Sequence, residues 1–222
     1  MPVDVQSRAT SAPADLATPS AVLAGSPEKR RQVLDGARRI FLAQGYDGAS
    51  VGDIAKAAGV SKGTIYVYFQ GKEELFLALV AEEKKDRAER FERLDGSRTD
   101  VAAALIELGL DFASRTVRPS SIALLRVIIG AAEKFPHIGQ SFYETGPRYG
   151  IARLKVFLDE HVTAGRLSIG DTEQAATQFL DLCMSSLLRP LLFNAGPAPH
   201  AAQIQLTIDG AVRIFMAAYA PK

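Results

Sequence analysis

"GVSKGTIYVYF", residues Gly59–Phe69, decides how the rest of the chain is read. It has the length of a short helix. Its polar and permissive residues, Ser61, Lys62, Gly63 and Thr64, stand at the front, and Tyr66 and Tyr68 lie two apart behind them. Just upstream, Ser50 with Asp53 three residues on has a capping-box pattern, and Ile54, Ala57 and Ala58 follow before Gly59. Ser61 is then a new helix start, separated from the previous helix only by Gly59 and Val60. Two short helices joined by so brief a Gly-containing turn form a helix-turn-helix. In that motif the second helix enters the major groove with its N-terminal residues foremost. Small residues and donors therefore belong at the front. Gly63 lets the backbone come close, and Lys62 and Thr64 reach phosphates or base edges.

The tyrosines follow from helical geometry. Ile65 and Phe69 are four apart and share the face that plugs the motif's core. Tyr66 and Tyr68 project off that face. Each offers a flat apolar body to a thymine methyl or sugar and a hydroxyl to a phosphate, or else serves as a half-buried packing residue. Ser50 and the free N–H groups behind it form a phosphate site at a helix start. Lys72 heads the next helix, where a lysine is unfavourable by itself. A nearby phosphate reverses that sign; the alternative is plain solvent exposure.

Working outward, Met1–Gly25 is rich in Ala, Ser, Thr and Pro without apolar periodicity. It reads as a disordered tail, and its single basic residue, Arg8, argues against a DNA-touching arm. Order is expected from Ser26-Pro27, an N-cap followed by a proline at the first helical position. Val33, Ala37, Ile40 and Phe41 share a helical face that Gly45 closes. A fourth helix opens near Lys72 and runs through Leu75, Phe76, Leu79 and Val80 into the charged run Glu82–Arg93, a solvated face. Beyond it the expected helices are Asp100–Val117, Pro119–Lys134, Pro147–Ala164, Asp171–Asn194 with a kink at Pro190, and Pro199–Tyr219. The fold class is all-α: a three-helix unit over 26–75 carrying a helix-turn-helix, on a larger helical body over 76–222.

Composition narrows the function classes. Apolar content of 47% and charged content of 23% are ordinary for a soluble globular protein. A net charge of +1 gives no global pull toward nucleic acid or membrane, so any attraction is local. The lone cysteine, Cys183, excludes an internal disulfide framework and suits a reducing cytosol. The sequence shows no signal-peptide pattern and no membrane span. His137, His161 and His200 are too scattered for a metal site, and no cofactor motif is present. Without a nucleophile elbow, a phosphate loop or metal-ligand spacing, an all-helical enzyme is disfavoured.

The stretch "ARRIFLAQGYDGASVGDIAKAAGVSKGTIYVYFQGKEELF", Ala37–Phe76, resembles the DNA-binding domain of the tetracycline-repressor (TetR) family. The matching elements include Phe41, Gly45-Tyr46, Ser50-Val51, Gly59-Val60-Ser61, Gly63-Thr64-Ile65-Tyr66, Tyr68-Phe69 and Lys72-Glu73. The resemblance implies a homodimeric, all-helical regulator in the bacterial cytosol, associated with the nucleoid. It further implies a repressor released from a pseudo-palindromic double-stranded DNA operator by a small lipophilic or aromatic effector. A ligand-independent regulator or an activator with the same head is the alternative. Carried over by position, Ser50, Lys62, Gly63, Thr64, Tyr66, Tyr68 and Lys72 are the expected DNA contacts.

"LLRVIIGAAEKFPHIGQSFYETGP", Leu124–Pro147, together with "GRLSIGDTEQAATQFLDLC", Gly165–Cys183, is similar to a C-terminal subgroup of that family that includes regulators of efflux and stress genes. An effector pocket is expected among the middle helices. Its candidates are Leu108, Phe112, Leu125, Ile129, Tyr149, Arg153, Phe157, Phe179 and Cys183, each open to a reading as plain core. Arg153, Asp181 or Arg189 would orient a ligand. Cys183 is either a redox switch or inert packing. The last helices are the expected dimer surface, through Met184, Leu188, Leu191, Ile204, Ile208, Val212 and Phe215, with Tyr219 in the same stripe. An apolar stripe at helical spacing is equally compatible with monomer core. Helix four is the natural lever between ligand and DNA.

Overall fold

The computed structural model describes residues 26–91 and 98–221, with backbone alone for 83–91. The tail expected over Met1–Gly25 and most of the charged run toward Arg93 lie outside the described residues and side chains. Every regular element is helical, and among the described residues there is no strand.

The three helices of the head are α1 (Pro27–Gly48), α2 (Val51–Ala58) and α3 (Lys62–Tyr68), and the first turns of α4 (Lys72–Phe91) pack into the same core through Leu75, Phe76, Leu79 and Val80. Ser26, Ser50 and Ser61 cap the first three, each hydroxyl accepting from the amide three residues on, so the polar start signals do the work assigned to them. Gly45 leaves the helical path at φ 72°, and a last turn carries α1 on to Gly48. Gly59 ends α2 in the left-handed region at φ 65°, a conformation that costs a residue with a Cβ about 1 kcal/mol or more. Helix α1 crosses α2 with Gly36 against Ala58, and Gln32 Nε2 and the Arg39 guanidinium donate to the carbonyls of Ala58 and Ala57. Phe41, Phe76 and Tyr46 pack ring against ring beneath, with Phe135 edge-on to Tyr46 at 4.9 Å.

The body contains α5 (Val101–Thr116), α6 (Pro119–Ala132), α7 (Pro136–Thr145), α8 (Pro147–Thr163), α9 (Thr172–Met184), α10 (Leu188–Leu192) and α11 (Ala201–Tyr219). Two expectations are corrected here. Between the helices expected over Pro119–Lys134 and Pro147–Ala164, where none was expected, lies helix α7. Pro136 opens it at the first helical position, where the missing N–H costs nothing. The single helix expected over Asp171–Asn194 is two helices. The break at 185–187 lies one turn before Pro190, where the proline ring excludes the carbonyl four residues back.

Two apolar cores result. One joins α5, α8, α9, α10 and α11 through residues such as Leu105, Phe157, Phe179, Cys183, Ile208 and Phe215. The other is the head core, and it does not stop at α4: Leu124, Ile128 and Ala131 of α6 and Ile138 of α7 belong to it. The small head thus borrows apolar surface from the body, as its size requires.

Candidate nucleic-acid interface and ligand cavity

The buried and exposed faces of α3 are sharply divided. Ile65 is fully buried and Phe69 nearly so, whereas Tyr66 and Val67 are 56% and 58% exposed. Large apolar side chains left in the open side by side are informative, because folding alone gives no reason to display them. Sequence reasoning missed Val67; its position next to Tyr66 and off the Ile65–Phe69 face was the available signal. Tyr68 is half-buried and packs against the head core, so its ring is partly committed to the fold.

The fronts of α2 and α3 converge. A Cβ placed on Gly52 would meet Lys62 Cε at 3.1 Å and Nζ at 3.3 Å, and Ser50 Oγ at 3.6 Å. The Lys62 ammonium therefore lies over the first turn of α2 beside Ser50, although the two residues come from different helices. Ser50 Oγ donates to Asp53 Oδ2 at 2.5 Å and accepts from the Asp53 amide at 3.1 Å. Ser61 Oγ accepts from the Thr64 amide at 3.0 Å and pairs with Thr64 Oγ1 at 2.9 Å, which fixes the Thr64 rotamer at the front of α3. Gly63 is exposed, and a Cβ there would meet only Ser61 Oγ at 3.6 Å, so nothing inside the protein demands glycine.

Lys72 has partners inside the protein that neither reading included. It is neither simply solvated nor a free cation. Its ammonium donates to the carbonyls of Tyr46 at 2.9 Å and Asp47 at 3.3 Å and sits 4.6 Å from the Tyr46 ring centroid. Lys72 thus closes the end of α1, where carbonyls lack intrahelical partners. An ammonium has three donors, so one remains for an outside acceptor. Tyr46, below this lysine, has its phenol pushed up, first by burial and then by Glu73 and Asp47.

A cavity of about 320 Å³ lies in the body. Helix α6 contributes Ser121, Leu124, Leu125 and Ile128; α5 contributes Phe112 and Thr116. Thr177, Leu180, Asp181 and Met184 of α9 and Leu188 of α10 form the facing wall. The rest is Val80 of α4, Phe142 of α7 and the start of α8. Its walls are largely apolar, and Asp181 is the one ionisable residue among the described residues that form them.

The expected pocket residues are redistributed by this geometry. Phe112 and Leu125 line the cavity. Leu108, Phe157, Phe179 and Cys183 lie in the packed core instead, between helices rather than at the void. Ile129 points outward and is 55% exposed, while Tyr149, Arg153 and Arg189 are not among the walls. Periodicity marks these residues as inward-facing but cannot tell a filled interior from a vacant one.

The dimer stripe is corrected in the same way. Ile204, Ile208, Val212 and Phe215 are buried within the chain itself, as are Met184 and Leu191, and Leu188 faces the cavity. What α11 leaves open is the opposite face: Leu206 is 75% exposed and Ile214 53%. Together with Leu182, Ser185, Ser186, Thr207 and Gly210 they line a shallow groove between α9 and α11.

Comparison with known proteins bears on both sites. Residues 33–79 match the model of bacterial regulatory proteins of the tetR family, and residues 103–221 match that of the AefR-like transcriptional repressor C-terminal domain. An HTH-type transcriptional repressor of Mycobacterium tuberculosis, Rv1474c, is 44% identical over 78 residues, which are 34% of this chain and 42% of that protein. The match thus spans about two fifths of that relative's length. Solved structures match far more of the chain. A putative TetR-family regulator from Mesorhizobium loti superposes with a TM-score of 0.78 at 25% identity, covering 87% of this chain and 97% of that one. The flavonoid-responsive regulator FrrA gives a TM-score of 0.74 at 31% identity, covering 89% of this chain and all of that one.

Proposed function

This chain belongs to the TetR family of bacterial regulatory proteins, and we propose that it is a homodimeric DNA-binding repressor, acting in the cytosol at the nucleoid, that leaves its operator when a small molecule fills the body cavity. The observation that carries this reading is the face of α3. Tyr66 and Val67 stand exposed beside Lys62, on a helix locked from behind by Ile65 and Phe69. Such a face suits a major groove: an apolar surface for thymine methyls, a phenol hydroxyl and an ammonium for phosphates. Ser50, Gly63 and Thr64 belong to the same surface. Lys72 contributes mainly by holding the end of α1, with one proton left for a phosphate.

Two copies joined through the open α9–α11 groove would place two such helices on successive major grooves, about 34–36 Å apart on a pseudo-palindromic site. Leu206 and Ile214 are the apolar residues available for that contact.

Release follows from where the cavity lies. Val80, Leu124 and Ile128 belong to the head core and also line the cavity. An occupant that moves them moves α4 and α6, and with them the head. A coupling of about 1–3 kcal/mol would suffice to lower operator affinity 5- to 150-fold. The relative FrrA is described as flavonoid-responsive, which supports a lipophilic or aromatic effector here.

The test is selection of bound duplexes from a random pool, followed by titration of the selected site. A pseudo-palindromic consensus bound by a dimer, with affinity that falls steeply as salt rises, is expected. Absence of any sequence preference would sink the reading.

A further inference from the structure

The cavity's walls specify the chemistry of what it holds. This inference rests on the effector reading above for its biological use, but its physical argument is independent. Two of the hydroxyls at the void are left as acceptors. Thr116 Oγ1 already donates to the Phe112 carbonyl at 2.8 Å, and Thr177 Oγ1 to the Glu173 carbonyl at 3.0 Å. Each hydroxyl has one proton, so both present lone pairs to the cavity. Asp181 borders the cavity yet is exposed, so its carboxylate stands at the mouth. Among the described lining residues there is no Lys, Arg or His.

The features that favour an anion are weak. Helix α8 begins at the wall with its positive dipole end. Pro147 occupies the first helical position there and has no N–H to give, and the Gly150 amide is taken by the Gly146 carbonyl at 3.1 Å. Ser121 has the one side-chain hydroxyl on the wall without a helix-carbonyl bond of this kind. A ligand carboxylate or phosphate would leave water for acceptors and an opposing charge. The cost of such unpaired, desolvated groups is what lets a polar site reject close isosteres.

We propose that this cavity takes an apolar molecule that donates hydrogen bonds and carries no anionic group, best an aromatic amine whose ammonium rests over Asp181. Fatty acids and other lipophilic acids are rejected.

Three naphthalenes of matched shape provide the test: 2-(2-naphthyl)ethylamine, 2-(2-naphthyl)ethanol and 2-naphthylacetate. The chain contains no tryptophan, so naphthyl fluorescence anisotropy, read at wavelengths beyond the tyrosine emission, follows binding, with calorimetry as a second measure. The amine and the alcohol should bind at least about tenfold more tightly than the acid. Asp181→Asn should weaken the amine about threefold more than it weakens the alcohol. Leu125→Phe, which fills the cavity, should weaken both. The proposal is overturned if the acid matches the amine, if neither amine nor alcohol binds, or if Leu125→Phe leaves both unaffected. If the amine binds as stated yet does not change affinity for the selected operator, the effector reading falls and the cavity assignment stands.

Discussion

Gly36 and Ala58 approach so closely that a Cβ on Gly36 would lie 2.5 Å from the Ala58 Cβ and 2.8 Å from its Cα and N. Backbone atoms cannot rotate away, so the α1–α2 crossing depends on a hydrogen atom at this position. Helix propensity favours alanine there by up to about 1 kcal/mol, but overpacking of a rigid contact costs about 1–3 kcal/mol or more. Gly36→Ala is expected to lose about 2 kcal/mol net and to melt about 4–8 °C lower. Gly130→Ala, in a helix where an added Cβ meets nothing within 4 Å, is the control and should be neutral or slightly stabilising.

The α3 surface makes separable predictions on a selected operator. Lys62→Ala should weaken binding to all duplexes and reduce the slope of log affinity against log salt by about 0.9, the loss of one phosphate contact. Val67→Ser should weaken the selected site by about 1 kcal/mol or more while barely changing the salt slope, as expected for a base contact. Titrations at two salt concentrations distinguish the two effects, and equal slopes for wild type and Lys62→Ala would remove Lys62 from the phosphate contacts.

The two faces of α11 should respond oppositely to substitution. Leu206→Glu or Ile214→Glu puts a charge on the open groove and should yield monomers in sedimentation while leaving the melting of the isolated subunit nearly unchanged. Ile208→Ala removes a fully buried side chain that packs against Gly109 and should cost about 2–5 kcal/mol in denaturant without altering assembly at native conditions.

His161 is wholly buried, accepting at Nδ1 from Arg166 Nε at 2.7 Å, while Nε2 has no partner among the described residues. Burial, and after it the Arg166 charge, hold its imidazole below the usual histidine range. The folded chain therefore resists a proton that the unfolded chain accepts near pH 6.5. The stabilising contribution is complete above that pH and is lost as pH falls through and below it. His161→Gln, which keeps an acceptor for Arg166 but cannot titrate, should show a smaller drop in urea midpoint between pH 7.5 and pH 5 than the wild type.

Cys183 is fully buried, and desolvation pushes its thiol up to about 12. At pH 8 almost no thiolate exists, and the thiolate is the reactive form. Native protein should resist iodoacetamide for hours and be alkylated once urea unfolds it; rapid labelling of the native chain would restore the redox-switch reading.

The head was legible in the sequence because its signals are local. Ser50, Gly59 and Ser61 act within a few residues of themselves, and each cap and turn lies where its chemistry requires. The body was legible only as a set of helices. Ile204, Ile208 and Phe215 announce a buried face, but whether the covering surface is the same chain or another depends on distant elements. Pro136 and Pro190 were both read as interruptions; one opens a helix and the other displaces a break by a turn. The inner contacts of Lys72 were not legible for a related reason. Its partners, the carbonyls of Tyr46 and Asp47, are brought to it only by the chain's return past Gly45.

Val80, Leu124 and Ile128 give the cavity and the head a common partition. An engineer wishing to transplant this head onto a foreign sensor cannot cut cleanly after α4, because α6 and α7 supply part of its interior. A working chimera would have to carry Leu124, Ile128, Ala131 and Ile138 across the splice, and any retuning of the sensor through those side chains would be felt first as a change in how firmly the transplanted reader holds together.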